Sequence, residues 1–128
     1  MFKSLILVLF IAGSCTMTKE QQIFRDLGQE KPEVIGAICE SSESLSKEMI
    51  SHLDNNQNKH YLEVGAGTGA FSTELVNNKL HSKSTFDIIE IEPQLCEILK
   101  QKFKGHSNVN IYCGSVLDWK PKKKYDAI

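Results

Sequence analysis

Apolar positions along this chain recur first at helical spacing and then as short continuous runs, so the pattern predicts two leading helices followed by alternating strands and helices. Thr18 with Gln21 makes a capping-box pattern. Ile23, Phe24 and Leu27 then fall on one side of a short amphipathic helix that Gly28 is expected to stop. Pro32 to Cys39 reads as an irregular apolar connector. Ser41 or Ser42 caps a second helix, with Leu45, Met49 and Leu53 at four-residue spacing, which ends around Asn55-Asn56. From His60 the pattern changes. His60 to Val64 is apolar apart from Glu63, as befits a strand covered on both faces. A helix opening near Gly69 carries Phe71, Leu75 and Val76, and Thr85 to Ile91 is a second strand rich in branched residues. Pro93 starts a further helix with Leu95, Ile98, Leu99 and Phe103 on its apolar side and Cys96 nearby. Gly105 ends it, Asn108 to Cys113 forms a third strand, and Tyr125 to Ile128 begins a fourth. Strand, helix and strand in this order predict parallel pairing through right-handed crossovers.

Composition narrows the class without naming a partner. The 128 residues are 41% hydrophobic and 24% charged, which suits one small globular domain. A net charge of −1 gives no global attraction to nucleic acid or anionic lipid, so any such contact needs a local patch. Lys120, Lys122, Lys123 and Lys124 around Pro121 form the dense basic run. It reads either as a solvated loop or as a surface for a phosphate-bearing substrate. Cys15, Cys39, Cys96 and Cys113 are scattered with no C-x-x-C pair, so reduced, packed thiols are expected rather than a zinc site or disulfide framework. The histidines, His52, His60, His81 and His106, are equally dispersed and suggest no nucleophile or metal set.

The chemistry concentrates where the first strand runs into Gly65-Ala66-Gly67-Thr68-Gly69. Gly65 and Gly67 let backbone amides approach a ligand, and the helix start near Gly69 adds free N–H groups. Gly65-x-Gly67-x-x-Ala70 also satisfies a dinucleotide pattern, with Glu90 about twenty residues on as a ribose-binding acid. Glu63 favours the other ligand class. Its carboxylate is expected to point towards the same turn, where it would repel a pyrophosphate but attract the ammonium and sulfonium of S-adenosylmethionine. Glu90 would accept the ribose hydroxyls. Ile91 would lie against adenine or pack in the core, and Glu92 would face the loop and help the next helix start.

Glu63-x-Gly65-x-Gly67-x-Gly69 followed by Ile89-Glu90-Ile91-Glu92-Pro93 resembles the first two motifs of class I S-adenosylmethionine-dependent methyltransferases. The resemblance covers about Ile23 to Ile128. Gly36 to Ser42 before a helix is similar to phospholipid N-methyltransferase-like proteins, and Ile89 to Glu92 is equally similar to rRNA adenine dimethylases. It implies an α/β fold, a Rossmann-like open parallel sheet with flanking helices, of which this chain holds the N-terminal, cofactor-binding half. It also implies S-adenosyl-L-methionine as cofactor, held by Glu63, Gly65, Gly67, Gly69, Glu90, Ile91, Ser115 and Val116. In that family an aspartate usually stands at the Ser115 position and accepts from the adenine amino group. A serine hydroxyl accepts more weakly, and Asp118 is the alternative. Ser41 and Ser42 would line the cofactor mouth. The loop carrying the acceptor-binding residues lies beyond Ile128, so no catalytic residue is nominated.

The expected organisation is therefore an apolar leader or upstream extension over 1–16, an N-terminal helical segment over 17–58, and half of a methyltransferase sheet over 59–128. Lys3, the run from Leu5 to Ala12, and Cys15 look like a secretory or lipoprotein leader. The favoured reading is a cytoplasmic protein starting near Met17, with peripheral membrane association as an option through Thr18 to Gly28. A phospholipid head group leads as methyl acceptor, an rRNA adenine follows, and a non-catalytic cofactor-binding remnant is the reading from a different class. An uncovered sheet edge would invite association.

Overall fold

The computed structural model of the chain describes residues 17–31, 43–54 and 56–128. The leader, the connector Pro32 to Cys39, and Ser41 and Ser42 lie outside the described residues. Helices α1 (Lys19–Glu30) and α2 (Glu43–Ser51) precede the alternating series β1 (His60–Val64), α3 (Ala70–Asn78), β2 (Thr85–Glu90), α4 (Pro93–Lys102) and β3 (Val109–Cys113). The strands form one parallel sheet in the order β1-β2-β3, with His60 beside Thr85 and Phe86 beside Val109. Beyond β1, on the side away from β2, Ala127 bridges Tyr61 in parallel, and the Leu62 amide donates to the Ala127 carbonyl at 3.0 Å. The start of a fourth strand therefore falls within Tyr125 to Ile128, as the sequence pattern predicts, and lies beside β1.

Register sorts the strand side chains between the two faces of the sheet. Tyr61, Phe86 and Val109 share one face, as do Glu63, Ile88 and Ile111 one step along. Leu75 of α3, Leu99 of α4 and Phe103 just after it close over that face, and Leu75, Phe86, Ile88 and Leu99 are fully buried there. The opposite face presents Leu62, Asp87 and Asn110 in one row. The segment after β3 returns across this side, with Lys123 and Tyr125 bonded to Asp87.

The helices depart from the sequence pattern in three places. The Thr18–Gln21 capping box forms, but α1 runs through Gly28 to Glu30. A glycine inside a helix costs only about 1 kcal/mol, which the burial of Phe24 and Leu27 against Leu95 offsets. In α2 the buried positions are Ser46 and Ile50, while Leu45 and Met49 are each half exposed. Only Leu53 of the expected stripe packs on the core. Finally, Cys96 of α4 and Cys113 of β3 are joined as a disulfide, Cα to Cα 5.7 Å, so these two are not the free thiols that their spacing suggested. Glu90 and Cys113 are register partners, and α4 packs over the end of β3, which is what brings the two sulfurs together.

Candidate functional site

Three loops meet at the carboxyl edge of the sheet because parallel strands end on the same side. The Gly65 amide donates to the Ile89 carbonyl at 2.8 Å, and the Gly114 amide donates to the Glu90 carbonyl at 2.9 Å. These bonds set the glycine turn, the end of β2 and the loop after β3 side by side. Gly65, Gly67 and Gly69 all adopt positive φ, at 74°, 61° and 84°. A Cβ on Gly65 would meet nothing within 4 Å, so that glycine borders open space, whereas one on Gly67 would come within 2.9 Å of the Phe24 ring. The turn is thus open on its ligand side and backed by α1 on the other. Lys102 fixes the turn further, donating to the Thr68 carbonyl and pairing with Glu20 of α1, each at 2.7 Å.

Glu90 sits directly under this turn and is 3% exposed. One carboxylate oxygen accepts from the Gly67 amide and the other from the Glu92 amide, both at 2.9 Å. This differs from the expected carboxylate held open for ribose alone. A carboxylate offers about four lone-pair positions, so each oxygen retains one for a further hydrogen bond. Glu92 does not cap α4 with its side chain. It is buried and paired with Lys31 at 3.0 Å, because the end of α1 packs against the start of α4.

Glu63 is oriented differently from its expected aim at the glycines. It shares the helix-covered face with Ile88, and its carboxylate runs beneath α3, where the Ser72 hydroxyl donates to it at 2.5 Å. It also borders a hollow of about 310 Å³ lined by Met49, Leu53, Phe71, Ala127 and Ile128. Burial pushes the Glu63 carboxyl up to about 7, against the lowering effect of the Ser72 hydrogen bond and with the help of the nearby Glu90 charge. The structure brings Gly65, Gly67, Gly69 and Glu90 together at the turn, while the Glu63 carboxyl lies to one side beneath α3, within electrostatic reach of Glu90.

The adenine-side residues are more open. Ile91 is 49% exposed just beyond β2, and Val116 is 41% exposed in the loop after β3. The Ser115 hydroxyl accepts from the Leu117 amide at 3.2 Å, which shapes that loop and leaves its proton available to donate. Phe24, Ser72 and Lys102 belong to the surroundings of the turn although the sequence pattern did not single them out. Ser72 left one clue: a serine in the first turn of a helix on its buried side needs a partner.

A parallel sheet with the start of a fourth strand beside the first, a glycine turn after β1 and a buried acid at the end of β2 define an S-adenosylmethionine-dependent methyltransferase fold. Protein-L-isoaspartate O-methyltransferase superposes with a TM-score of 0.58 and 26% identity, over 68% of this chain and 28% of that one. The chain belongs to the ribosomal RNA adenine dimethylase family, whose model matches residues 36–127. Among relatives, ribosomal RNA small subunit methyltransferase A of Mycoplasma mycoides is 38% identical over 65% of this chain and 30% of its own length. Malonyl-[acyl-carrier protein] O-methyltransferase 1 of Ilyobacter polytropus is 35% identical over 66% of this chain and 32% of its own. The chain thus spans about a third of the length of these curated relatives. S-adenosylmethionine is the methyl donor that the family implies. Among the described residues no helix is long and apolar enough to cross a membrane, and the apolar side of α1 is covered by α4.

Proposed function

We propose that this chain works in transfer of a methyl group from S-adenosylmethionine to the exocyclic amine of an adenine base in RNA. The observation that carries the reading is the match of the rRNA adenine dimethylase model across residues 36–127. When bound, S-adenosylmethionine supplies an electrophilic methyl group on a positively charged sulfur. The Gly65 and Gly67 amides are engaged by Ile89 and Glu90, so these glycines give it steric room rather than donors, and α3 begins after Gly69 with no side-chain cap. Glu63, held by Ser72 beneath α3, adds negative charge from the side of the turn once it ionises, Glu90 accepts ribose hydroxyls through its remaining lone pairs, and Ile91 and Val116 flank the adenine. Ser115 or Asp118 takes up the adenine edge. Methyl transfer relies mainly on alignment of the acceptor nitrogen with the methyl carbon, so these residues bind and orient rather than exchange protons.

A phospholipid acceptor rested on Gly36 to Ser42, which lie outside the described residues, and the family match favours RNA instead. Calorimetric titration of the chain with S-adenosylmethionine and with NAD, followed by transfer of labelled methyl to an adenine-containing RNA and to phospholipid vesicles, tests the reading. Binding of the first cofactor alone and label on adenine N6 is the expected result. Label on lipid would overturn the acceptor. Cofactor binding without transfer would point to the non-catalytic remnant.

A further inference from the structure

The loop that follows β3 builds a second feature, on the outer side of the sheet. β3 has no strand beyond it among the described residues. Along it opens a cleft of about 580 Å³ lined by Lys100, Tyr112, Ser115, Asp118 and Trp119. The Tyr112 and Trp119 rings lie 5.9 Å apart, and Trp119 and Tyr125 lie 5.8 Å apart. This row of rings is anchored from below: buried Asp87 accepts from the Tyr125 hydroxyl at 2.5 Å and pairs with Lys123 at 3.1 Å. The basic run therefore divides by role. Lys123 is turned inward onto Asp87, while Lys120, Lys122 and Lys124 are exposed and carry no ion pair among the described residues. Lys100 adds a further positive charge from α4.

We infer that the β3-edge cleft is a docking site for single-stranded RNA, in which Tyr112 and Trp119 stack a base and Lys100, Lys120, Lys122 and Lys124 hold the phosphates. Aromatic rings beside a basic track are what sequence-tolerant binding of single strands requires, because every base has a π-face and every nucleotide a phosphate. Tyr125 is held by its bond to Asp87 and packs on Trp119, which in turn packs on Tyr112, and a row fixed at one end lowers the ordering cost on binding. The inference rests on the RNA reading of the acceptor and adds where the strand flanking the target base would lie.

Trp119 is the sole tryptophan, so its fluorescence reports directly on the cleft. The whole chain is titrated with a ten-nucleotide single-stranded RNA in the absence of S-adenosylmethionine. Saturable quenching is expected, weakening with salt at a log–log slope of about −0.7 per phosphate contacted. The K120E/K122E/K124E triple variant should lose at least tenfold in affinity and most of the slope, and the corresponding triple Arg variant should retain both. Tyr112→Leu should lose about tenfold through stacking.

Absence of quenching, unchanged affinity in the triple Glu variant, or a stronger response to anionic phospholipid vesicles than to RNA would overturn the proposal. So would displacement of RNA by S-adenosylmethionine, which would assign the cleft to the cofactor. Because this titration needs no methyl transfer, RNA binding without adenine methylation would defeat the proposed activity while leaving the cleft intact.

Discussion

The Ser72 hydroxyl of α3 donates to the Glu63 carboxylate of β1 at 2.5 Å, tying the first helix turn after the glycines to the strand before them. Burial raises the Glu63 carboxyl from 4.5 to about 7. Between those values the folded chain binds more protons than the unfolded one, so stability falls as pH rises through this window and levels off above it. A shift of that size corresponds to on the order of 3 kcal/mol. Urea denaturation at pH 5 and pH 8 should find the chain less stable at pH 8, and Glu63→Gln should remove most of that difference. Affinity for S-adenosylmethionine should run the other way, rising as Glu63 ionises, because its charge then meets the ammonium and sulfonium. Calorimetry with Glu63→Gln should show weaker binding and a flattened pH profile; unchanged affinity would remove Glu63 from the cofactor site.

Gly67 and Phe24 make the contact that joins α1 to the glycine turn. A Cβ at Gly67 would stand 2.9 Å from Phe24 Cε2, and φ is +61° there, a conformation costing a non-glycine residue about 1–2 kcal/mol. Gly67→Ala should therefore destabilise the fold by about 1–3 kcal/mol in urea and shift the Phe24 ring. Combining it with Phe24→Ala should relieve the clash but not the backbone strain. Additive losses in the double variant would show that the two residues do not meet.

The backbone course of the sheet was legible from local sequence, and the side-chain directions were not. β1 spans His60–Val64 as its apolar run predicts, and the fourth-strand start read from Tyr125 to Ile128 pairs with Tyr61 through Ala127. Gly65 and Gly67 announce a turn that only glycine adopts comfortably. The aim of Glu63 is not legible in the sequence because it depends on which face α3 covers, which is a tertiary fact. Leu45 and Met49 matched a helical stripe, yet Ser46 and Ile50 face inward, since packing against α3 decides the rotation of so short a helix. Cys96 and Cys113 gave no signal because a seventeen-residue separation means nothing until α4 folds back onto β3.

That link makes its own prediction. Closing a loop of this length restricts the unfolded chain by about 3 kcal/mol. Cys96→Ser/Cys113→Ser, or full reduction, should lower the urea midpoint accordingly with little change in slope. Cys113 directly precedes Gly114 and Ser115, so the loop after β3 should also gain amide exchange when the link is absent. Thiol titration of the unfolded, unreduced chain would find both cysteines reactive if the bond does not form.

Asp87 is the remaining buried acid, 2% exposed on the face of the sheet opposite α3 and α4. Burial alone would raise its carboxyl, but hydrogen bonds from Tyr125, Asn110 and Lys123, with the Lys123 charge, together hold it below 3.8. A depressed acid stabilises the fold above the unfolded value and loses that contribution as pH falls below about 3.8, where the carboxylate is protonated. The chain should thus unfold more readily on acidification from pH 4 to pH 2, and Asp87→Asn should weaken that dependence while lowering stability at pH 7. Asparagine keeps one accepting oxygen but removes the charge opposite Lys123 and turns an NH2 towards the remaining donors, which costs about 3 kcal/mol at a buried site. Lys123→Gln should cost less, since its ammonium is partly solvated, and Lys120→Gln, Lys122→Gln or Lys124→Gln should each change the urea midpoint by almost nothing. Equal losses across the four lysines would contradict the division between one structural and three surface charges.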